Sequence, residues 1–249
     1  MVIGSNILAG ASGQSGAYVI SKSLQFVDDN SAFLNRTFGS AGNRRTYTFS
    51  VWFRRDVVTN ANMTLALAVE AGGNNADIHI QGNNKLRFRD QGSGLNLITN
   101  QTFTNNSDFF NLVVAVDSTQ STASNRAKVY LSGSQITSFD TETYMSQNAE
   151  GLINSADNVE IGRNPNGSVF WDGFMSEVVF VDGQALAPTA FGETVSSTWI
   201  PIDVSDLTFG SNGYYLRGQD SSNLGDDSSG NGSDFTNSNV TQSTTTPTS

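Results

Sequence analysis

The sequence predicts an all-β protein, a two-sheet antiparallel sandwich with polar arms at both ends. From Leu24 onward, short apolar runs separated by Gly, Asn, Asp and Ser recur about every ten residues, which is the spacing of sandwich strands. No helical period of apolar residues extends over a long segment. All-β sandwiches of ~250 residues commonly form one domain. The 249 residues therefore predict an N-terminal arm (1–22), one sandwich domain (23–222) and a polar C-terminal tail (223–249).

Four segments carry the strand pattern most clearly. In Thr46–Arg55, apolar residues at odd positions alternate with a mixed set, so one face can pack inward. Residues 77–90 and 127–136 predict hairpins, because turn-forming residues separate two strand-like runs in each. Residues 109–116 form a nearly continuous apolar run, which indicates a strand buried on both faces.

The remaining elements are shorter or polar. Residues 159–162 and 174–181 predict two more strands, and 188–191 predicts one helical turn with Pro188 in its first turn. The tail 223–249 consists mainly of small polar residues and Gly. Such a segment buries too little apolar surface to offset the entropy of ordering, so we expect it to be disordered unless a partner chain holds it.

The composition excludes several classes of chemistry. The absence of Cys excludes disulfide frameworks and Cys-ligated zinc. A single His (His79) excludes His-pair metal sites and argues against a Ser-His nucleophile. A net charge of −10 argues against a nucleic-acid partner, whose backbone requires clustered Lys and Arg. No stretch approaches the ~18–20 apolar residues that span a bilayer, so we expect no membrane insertion.

The charge is distributed unevenly along the chain. Residues 1–130 contain 11 basic and 8 acidic side chains, whereas residues 131–249 contain 2 basic and 15 acidic ones. The first part therefore has a net charge of +3 and the second a net charge of −13. This asymmetry can orient a subunit against an unlike neighbour, and the alternative is a solvated acidic surface.

Two segments carry a family resemblance. The first comprises Ser23–Phe26 and residues 28–55, and the second is 171–193, with the sequence WDGFMSEVVFVDGQALAPTAFGE. They resemble the start and the closing strand of concanavalin A-like lectin/glucanase (laminin-G-like) jelly-roll domains in virion proteins of tailed bacteriophages. In those domains a G-[YF]-M-[AS]-E core leads into D-G-Q-A-L and F-G-E. The resemblance implies a jelly roll in which the chain bends or bulges at Gly173 and turns at Asp182-Gly183.

The same resemblance implies a function. It predicts a non-enzymatic structural protein of the phage virion, as a capsid decoration, a fibre or a tail appendage, with other virion proteins as partners. Proteins of this type are commonly homo-oligomers, including trimers. The alternative is a carbohydrate-binding module that recognises glycans of the bacterial surface, and a polysaccharide-degrading enzyme is a third alternative.

No catalytic set is recognisable in the sequence. The glucanase branch of the resembled superfamily carries closely spaced acids on one strand. Here Asp140 and Glu142 form a pair without a third acid, and Glu177 stands alone on its strand. We therefore expect no catalytic residues and no enzymatic activity.

Two groups of residues are candidates for binding. The oxygen-rich loop 226–234 could hold calcium through Asp226, Asp227, Asn231 and Asp234, although the same residue types also form ordinary polar turns. Trp52 lies opposite the apolar set of its strand and could stack on a sugar ring if that face is exposed. His79 is expected at the surface. We expect no other cofactor.

Overall fold

The structure is a computed structural model that describes residues 18–58 and 61–249. Within these residues, two eight-stranded antiparallel sheets form a sandwich, which confirms the predicted all-β fold and matches a jelly roll. Residues 1–17 of the predicted N-terminal arm lie outside the described residues. None of the helical segments in the described part of the chain is long and apolar enough to cross a membrane.

The sheets are formed by strands that are distant in sequence. Sheet A contains, in spatial order, β10 (Ser134–Ile136), β9 (Ala127–Leu131), β8 (Phe110–Asp117), β3 (Thr46–Arg55), β13 (Gly173–Asp182), β1 (Ser23–Phe26) and β18 (Thr241–Ser243), with β16 (Tyr214–Leu216) also paired to β13. Sheet B contains β11 (Phe139–Thr143), β7 (Leu95–Thr102), β6 (Lys85–Asp90), β5 (Asn74–Ile80), β4 (Met63–Ala71), β12 (Asn158–Ile161), β2 (Phe33–Thr37) and β17 (Thr236–Ser238). A separate hairpin pairs β14 (Gly192–Val195) with β15 (Thr198–Pro201), and single 3-10 turns occupy Asp28–Asn30, Ala123–Asn125 and Pro188–Ala190.

The core lies between the two sheets and is rich in aromatic side chains. Phe53 packs edge-on against Trp171 at a centroid distance of 5.7 Å, and its ring also contacts those of Phe103 and Phe110. Trp171 is therefore a core residue. Buried aromatic side chains of this size contribute strongly to the hydrophobic free energy of folding.

Sheet A is also covered on its outer side. Val113 and Val179 point away from the main core and pack with Phe191, Val204 and Phe209 in a second, smaller hydrophobic cluster. The segment that follows β13 therefore forms an additional layer over sheet A. The burial of β8 on both faces agrees with the prediction for residues 109–116.

The bend predicted at Gly173 corresponds to a close approach between backbones. A Cβ atom on Gly173 would lie 2.1 Å from the carbonyl oxygen of Arg54, and its φ of 146° is accessible mainly to glycine. The register between β13 and β3 shifts further along the strand, between Ser176 and Val179, where Glu177 has a φ of 49°. The turn predicted at Asp182-Gly183 is present.

The expectation of a disordered tail is wrong, because residues beyond 222 complete both sheets. β17 pairs with β2 and β18 pairs with β1, so both strands extend the sandwich past the predicted boundary. Phe235 is only 3% exposed and packs edge-on against Tyr214 at 4.8 Å. A few well-placed apolar residues and the free edges of two strands therefore order a segment that is polar on average.

The two ends of the described chain meet at the edge of sheet A. The backbone amide of Ile20 donates a hydrogen bond to the Thr248 hydroxyl at 3.0 Å, and this hydroxyl donates to the carbonyl oxygen of Ile20 at 2.9 Å. Ile20 itself is buried. Residues 18–22 of the predicted arm are thus fixed against the end of the tail.

Candidate functional site

The outer side of sheet B presents a continuous polar surface. Even-numbered residues of β5 and β6, such as Ile78 and Phe88, fill the core, so the odd-numbered residues point outward. Strand register then places His79 between Thr64 and Arg87 in adjacent strands. The polar face, as we call this surface, consists of Thr64, Asp77, His79, Arg87, Arg89 and Asn96.

Asp77 is the centre of the polar face. Its carboxylate accepts hydrogen bonds from Nη2 of Arg87 at 2.9 Å to both oxygens and from Nη2 of Arg89 at 2.8 Å. The Asp77 side chain is 4% exposed, whereas those of Arg87 and Arg89 remain 18% and 22% exposed. Two guanidinium groups thus share one carboxylate, which leaves a net charge of +1 and free N–H groups at the surface.

His79 is buried within the polar face, so the expectation of a surface residue is wrong. It is 6% exposed, and its Nδ1 lies 3.2 Å from the Thr64 hydroxyl. Burial and the positive charge of Arg87 lower the pKa of His79 to about 4, against the opposing effect of Asp77. The imidazole is therefore neutral near pH 7 and offers hydrogen bonds without charge.

A second polar group continues the surface onto β12 and β2. Arg163 donates to Glu160 through Nε at 2.7 Å and through Nη2, and its guanidinium lies 3.4 Å from the ring centroid of Phe33. Asn158 donates to the same carboxylate at 2.9 Å. Guanidinium, carboxylate and amide groups in fixed geometry are the groups that bind sugar hydroxyls well.

Trp52 does not belong to any exposed surface. It is 4% exposed on the outer side of sheet A, in register with Asn111 and Ser176. The prediction of a sugar contact required that this face of the strand be exposed, and Trp52 is buried there. Trp199, which is partly exposed, donates to Asn111 Oδ1 at 3.1 Å.

The predicted calcium loop is a hydrogen-bonded turn. Asp227 accepts from the backbone amides of Tyr215, Ser229 and Ser233 at 2.8–2.9 Å, and Asp234 accepts from the Asp227 amide at 3.0 Å. Asn231 donates to the carbonyl oxygens of two glycines in the preceding loop. Burial raises the pKa of Asp226, and the nearby carboxylates of Asp234, Asp220 and Asp227 raise it further. Among the described residues, no group of three or more His, Cys, Asp or Glu could hold a metal ion. The geometry therefore favours the polar-turn interpretation over calcium.

The remaining acids of the sequence analysis lie apart from one another. Asp140 pairs with Lys85, and Glu142 accepts from the Tyr144 hydroxyl at 2.8 Å. Glu177 is buried on the outer side of sheet A, where burial raises its pKa and the hydroxyls of Tyr18 and Tyr215 donate to its Oε2. Glu177 thereby joins the N-terminal segment to sheet A. The structure does not bring these three acids together.

The polar face was missed as a site, although its signal was present in the sequence. Arg87 and Arg89 alternate with core residues on one strand, and Asp77 and His79 do the same on the preceding strand of the hairpin. A predicted hairpin register would have paired these four residues. The predicted sugar contact was an aromatic side chain, and none of the six residues of the polar face is Phe, Tyr or Trp.

Comparisons with known proteins identify the fold and its relatives. The family model described as the concanavalin A-like lectin/glucanases superfamily matches residues 28–189. No curated protein matches the chain. A structure from Bacteroides ovatus, of a protein with provisionally assigned carbohydrate binding, is similar with a TM-score of 0.64 and 15% identity. The similarity covers 91% of this chain, and the chain spans 60% of that protein's length.

Two further structures are less similar. Domains LG4-5 of the mouse laminin α1 chain match with a TM-score of 0.47 and 13% identity over 82% of this chain and 49% of that one. Domain 4 of an extracellular arabinanase from Geobacillus stearothermophilus, determined with arabinotriose, matches with a TM-score of 0.42 and 15% identity. That similarity covers 59% of this chain and 65% of the arabinanase domain. All three similarities concern the fold.

Proposed function

Because the chain belongs to the concanavalin A-like lectin/glucanases superfamily, we propose that it is a non-catalytic carbohydrate-binding domain whose polar face contacts the glycan. The observation that carries the proposal is the pair of partly exposed arginines held by one buried carboxylate. Their guanidinium groups are fixed by Asp77, so they lose little conformational entropy when they donate to sugar hydroxyls. The second hydrophobic layer of the described chain packs on sheet A, whereas the polar face lies on sheet B.

The carboxylates near this surface support binding in preference to hydrolysis. Glycoside hydrolysis needs one carboxyl group that is protonated and a second that is free to act on the sugar or on water. Asp77 is fully engaged by Arg87 and Arg89, and both oxygens of Glu160 accept from Arg163. Buried Asp90, whose pKa is raised by burial, points away from the polar face and accepts from the backbone amide of Leu152.

The ligand class is supported by the structural neighbour as well as by the site. The Bacteroides ovatus protein has provisionally assigned carbohydrate binding, and one further neighbour was determined with a trisaccharide. The first similarity covers nearly the whole of this chain. The proposal for this chain rests on its own polar face, and the neighbour adds the choice of ligand to test first.

The test is retention on glycans. We expect the wild-type protein to be retained on some members of an array of bacterial surface polysaccharides. Arg89→Ala should weaken this binding by roughly 10- to 100-fold, because a hydrogen bond from a charged group is worth about 1.5–3 kcal/mol. Arg87 keeps its bonds to Asp77 in this variant, so the sheet should remain folded.

Glu193→Gln on the β14–β15 hairpin is the matched control, since Glu193 is exposed and lies outside the polar face. It should bind like the wild type. Absence of retention on every polysaccharide, or equal binding by the wild type and Arg89→Ala, would contradict the proposal.

The sequence resemblance supports a more specific setting for this function. We propose that the domain is part of a tailed-phage virion, where it attaches to other virion proteins as a homo-oligomer and contacts the host surface. The uneven charge of the chain, +3 over residues 1–130 and −13 over 131–249, would orient it against a neighbour. Mass spectrometry of purified particles and light scattering of the isolated protein test this setting. A strict monomer that is absent from particles would contradict it.

A further inference from the structure

A groove on the outer side of sheet A lies far from the polar face in the fold. Strands β8 and β9 form its floor, and the loop that follows β13 forms its wall. Its volume is about 330 Å³, within the range of ~300–1,000 Å³ typical of small-molecule sites. We call it the β9 groove, and it is lined by Ala115, Asp117, Gln120, Asn125, Lys128, Tyr130 and residues 185–187.

The groove exists because a small residue occupies its floor. Ala115 is paired with Thr48 on one side and with Lys128 on the other. The Thr48 hydroxyl binds the loop, donating to the carbonyl oxygen of Gln184 at 2.7 Å and accepting from the amide of Leu186 at 2.8 Å. The loop is thus fixed above β3, and the short side chain of Ala115 leaves the space beside it open.

Several polar groups in the groove have no partner among the described residues. No hydrogen bond or ion pair engages Nζ of Lys128, the hydroxyl of Tyr130 or the side-chain amide of Asn125 in that part of the chain. Asp117, in contrast, accepts from the Thr119 amide and hydroxyl through Oδ1 and from Gln120 through Oδ2. The Thr46 side chain also donates to this carboxylate, so the roughly four acceptor positions of Asp117 are all engaged within the protein.

We propose that the β9 groove is a second binding site and that its ligand is a neutral saccharide unit. The proposal rests on the proposed function for the class of ligand, whereas the site is separate from the polar face. Lys128 and Asn125 donate to sugar hydroxyls, and the side-chain oxygen of Asn125 and the hydroxyl of Tyr130 accept from others. The ring of Tyr130 and the side chain of Leu186 contact the apolar C–H surface of the sugar.

The charge balance of the groove determines the kind of saccharide. Lys128 and Asp117 are the two charged residues of the lining and have opposite signs, so the lining has no net charge. A carboxylated or sulfated sugar would face Asp117, and the chain as a whole carries −10, which repels polyanions. Mixed donors and acceptors without net charge match the hydroxyl groups of a neutral sugar.

The experiment is chemical-shift mapping on the ¹⁵N-labelled full chain. The probes are maltotetraose, cellotetraose and mannotetraose as neutral oligosaccharides, and tetragalacturonate as the anionic comparison. We expect at least one neutral probe to shift the amides of residues 115–130 and 185–187 in a saturable manner. Lys128→Ala should weaken that binding by tenfold or more, and Tyr130→Ala should abolish it.

Two controls keep the result interpretable. Tyr130 packs partly against the second hydrophobic cluster, so its loss can affect folding, whereas Lys128 has no partner to lose and its variant should fold normally. Arg89→Ala on the polar face is the matched control, because it should leave binding in the β9 groove unchanged. Its own effect reports only on the proposed function.

The outcomes separate the two proposals. Shifts confined to the polar face would overturn the β9 groove and leave the proposed function standing. Absence of shifts at the groove with all neutral probes, selective binding of tetragalacturonate there, or equal affinity of Lys128→Ala and the wild type would also overturn it. Shifts confined to the groove would support this inference and contradict the role of the polar face.

Discussion

Replacing His79 with Asn removes a group that is held neutral in the folded protein. His79 is buried beside Thr64 and is faced by Arg87, Arg89 and Asp77. Its pKa falls from the ordinary 6.5 to about 4, chiefly because burial and the nearby guanidinium of Arg87 disfavour the imidazolium ion. Asn keeps a polar atom near the position of Nδ1, so the hydrogen bond to the Thr64 hydroxyl can be retained.

The sign and size of the effect follow from linkage. Between about pH 4 and 6.5 the unfolded chain binds a proton that the folded protein does not, so His79 destabilises the fold as the pH falls through this window. A difference of about 2.5 pKa units limits the effect to about 3 kcal/mol. Between about pH 7.5 and pH 5, the same two pKa values give a loss of about 2 kcal/mol.

Urea unfolding followed by tryptophan fluorescence measures this loss, because the buried Trp171 reports on the core. The free energy of unfolding of the wild type should fall by about 2 kcal/mol more than that of His79→Asn between about pH 7.5 and pH 5. Asp90 and Glu177 have raised pKa values and act in the opposite direction. The wild type and His79→Asn both contain Asp90 and Glu177, so the contributions of these two residues cancel in the comparison.

Parallel pH profiles of the two proteins would refute the reasoning, since they would mean that His79 titrates alike in the folded and unfolded states. A larger loss for His79→Asn than for the wild type would refute its sign. The comparison of slopes is independent of any constant destabilisation that the substitution itself causes.

Three further predictions concern packing and the tail. Gly151→Ala should lower the free energy of unfolding by about 1–3 kcal/mol in urea titration, because its Cβ would lie 1.8 Å from Oδ2 of buried Asp90; an unchanged midpoint would contradict this. Phe235→Ala should cost about 3–5 kcal/mol and expose the tail to limited proteolysis, because Phe235 packs on Tyr214; a tail that stays resistant would show that it is held otherwise. EDTA should leave the thermal midpoint unchanged, whereas Asp227→Ala should lower it, because Asp227 accepts backbone amides; a chelator-sensitive midpoint would favour calcium.

Strands with regular alternation could be predicted from the sequence. The bounds of β3 agree with the prediction, and the hairpins β5–β6 and β9–β10 form as expected. β4 was missed, because Met63–Ala71 combines residues that favour helices with a nearly continuous apolar pattern. Its place in the middle of sheet B, between β5 and β12, decides its conformation.

The errors about the candidate residues concern contacts between different segments of the chain. Trp52 is buried on the outer side of sheet A beside Asn111, to which Trp199 of the β14–β15 hairpin donates. His79 is buried and paired with Arg87 of the adjacent strand. Order in the tail depends on the free edges of β1 and β2, which accept β18 and β17. The contacts of Trp52 and of the tail join segments that are distant in sequence, so local composition carried no information about them. The contact of His79 joins two strands of one hairpin, and only the hairpin register could have predicted it.

The contact between Ile20 and Thr248 has a mechanical consequence. The chain enters β1 at Ser23 and leaves β18 at Ser243, and these two residues are paired. A pulling force applied between the two ends therefore acts on the hydrogen bonds of this strand pair one after another, from the open end inward. The hydrogen bonds of the pair break sequentially under such a load, so the tail separates from sheet A at low force, before either sheet bears the load.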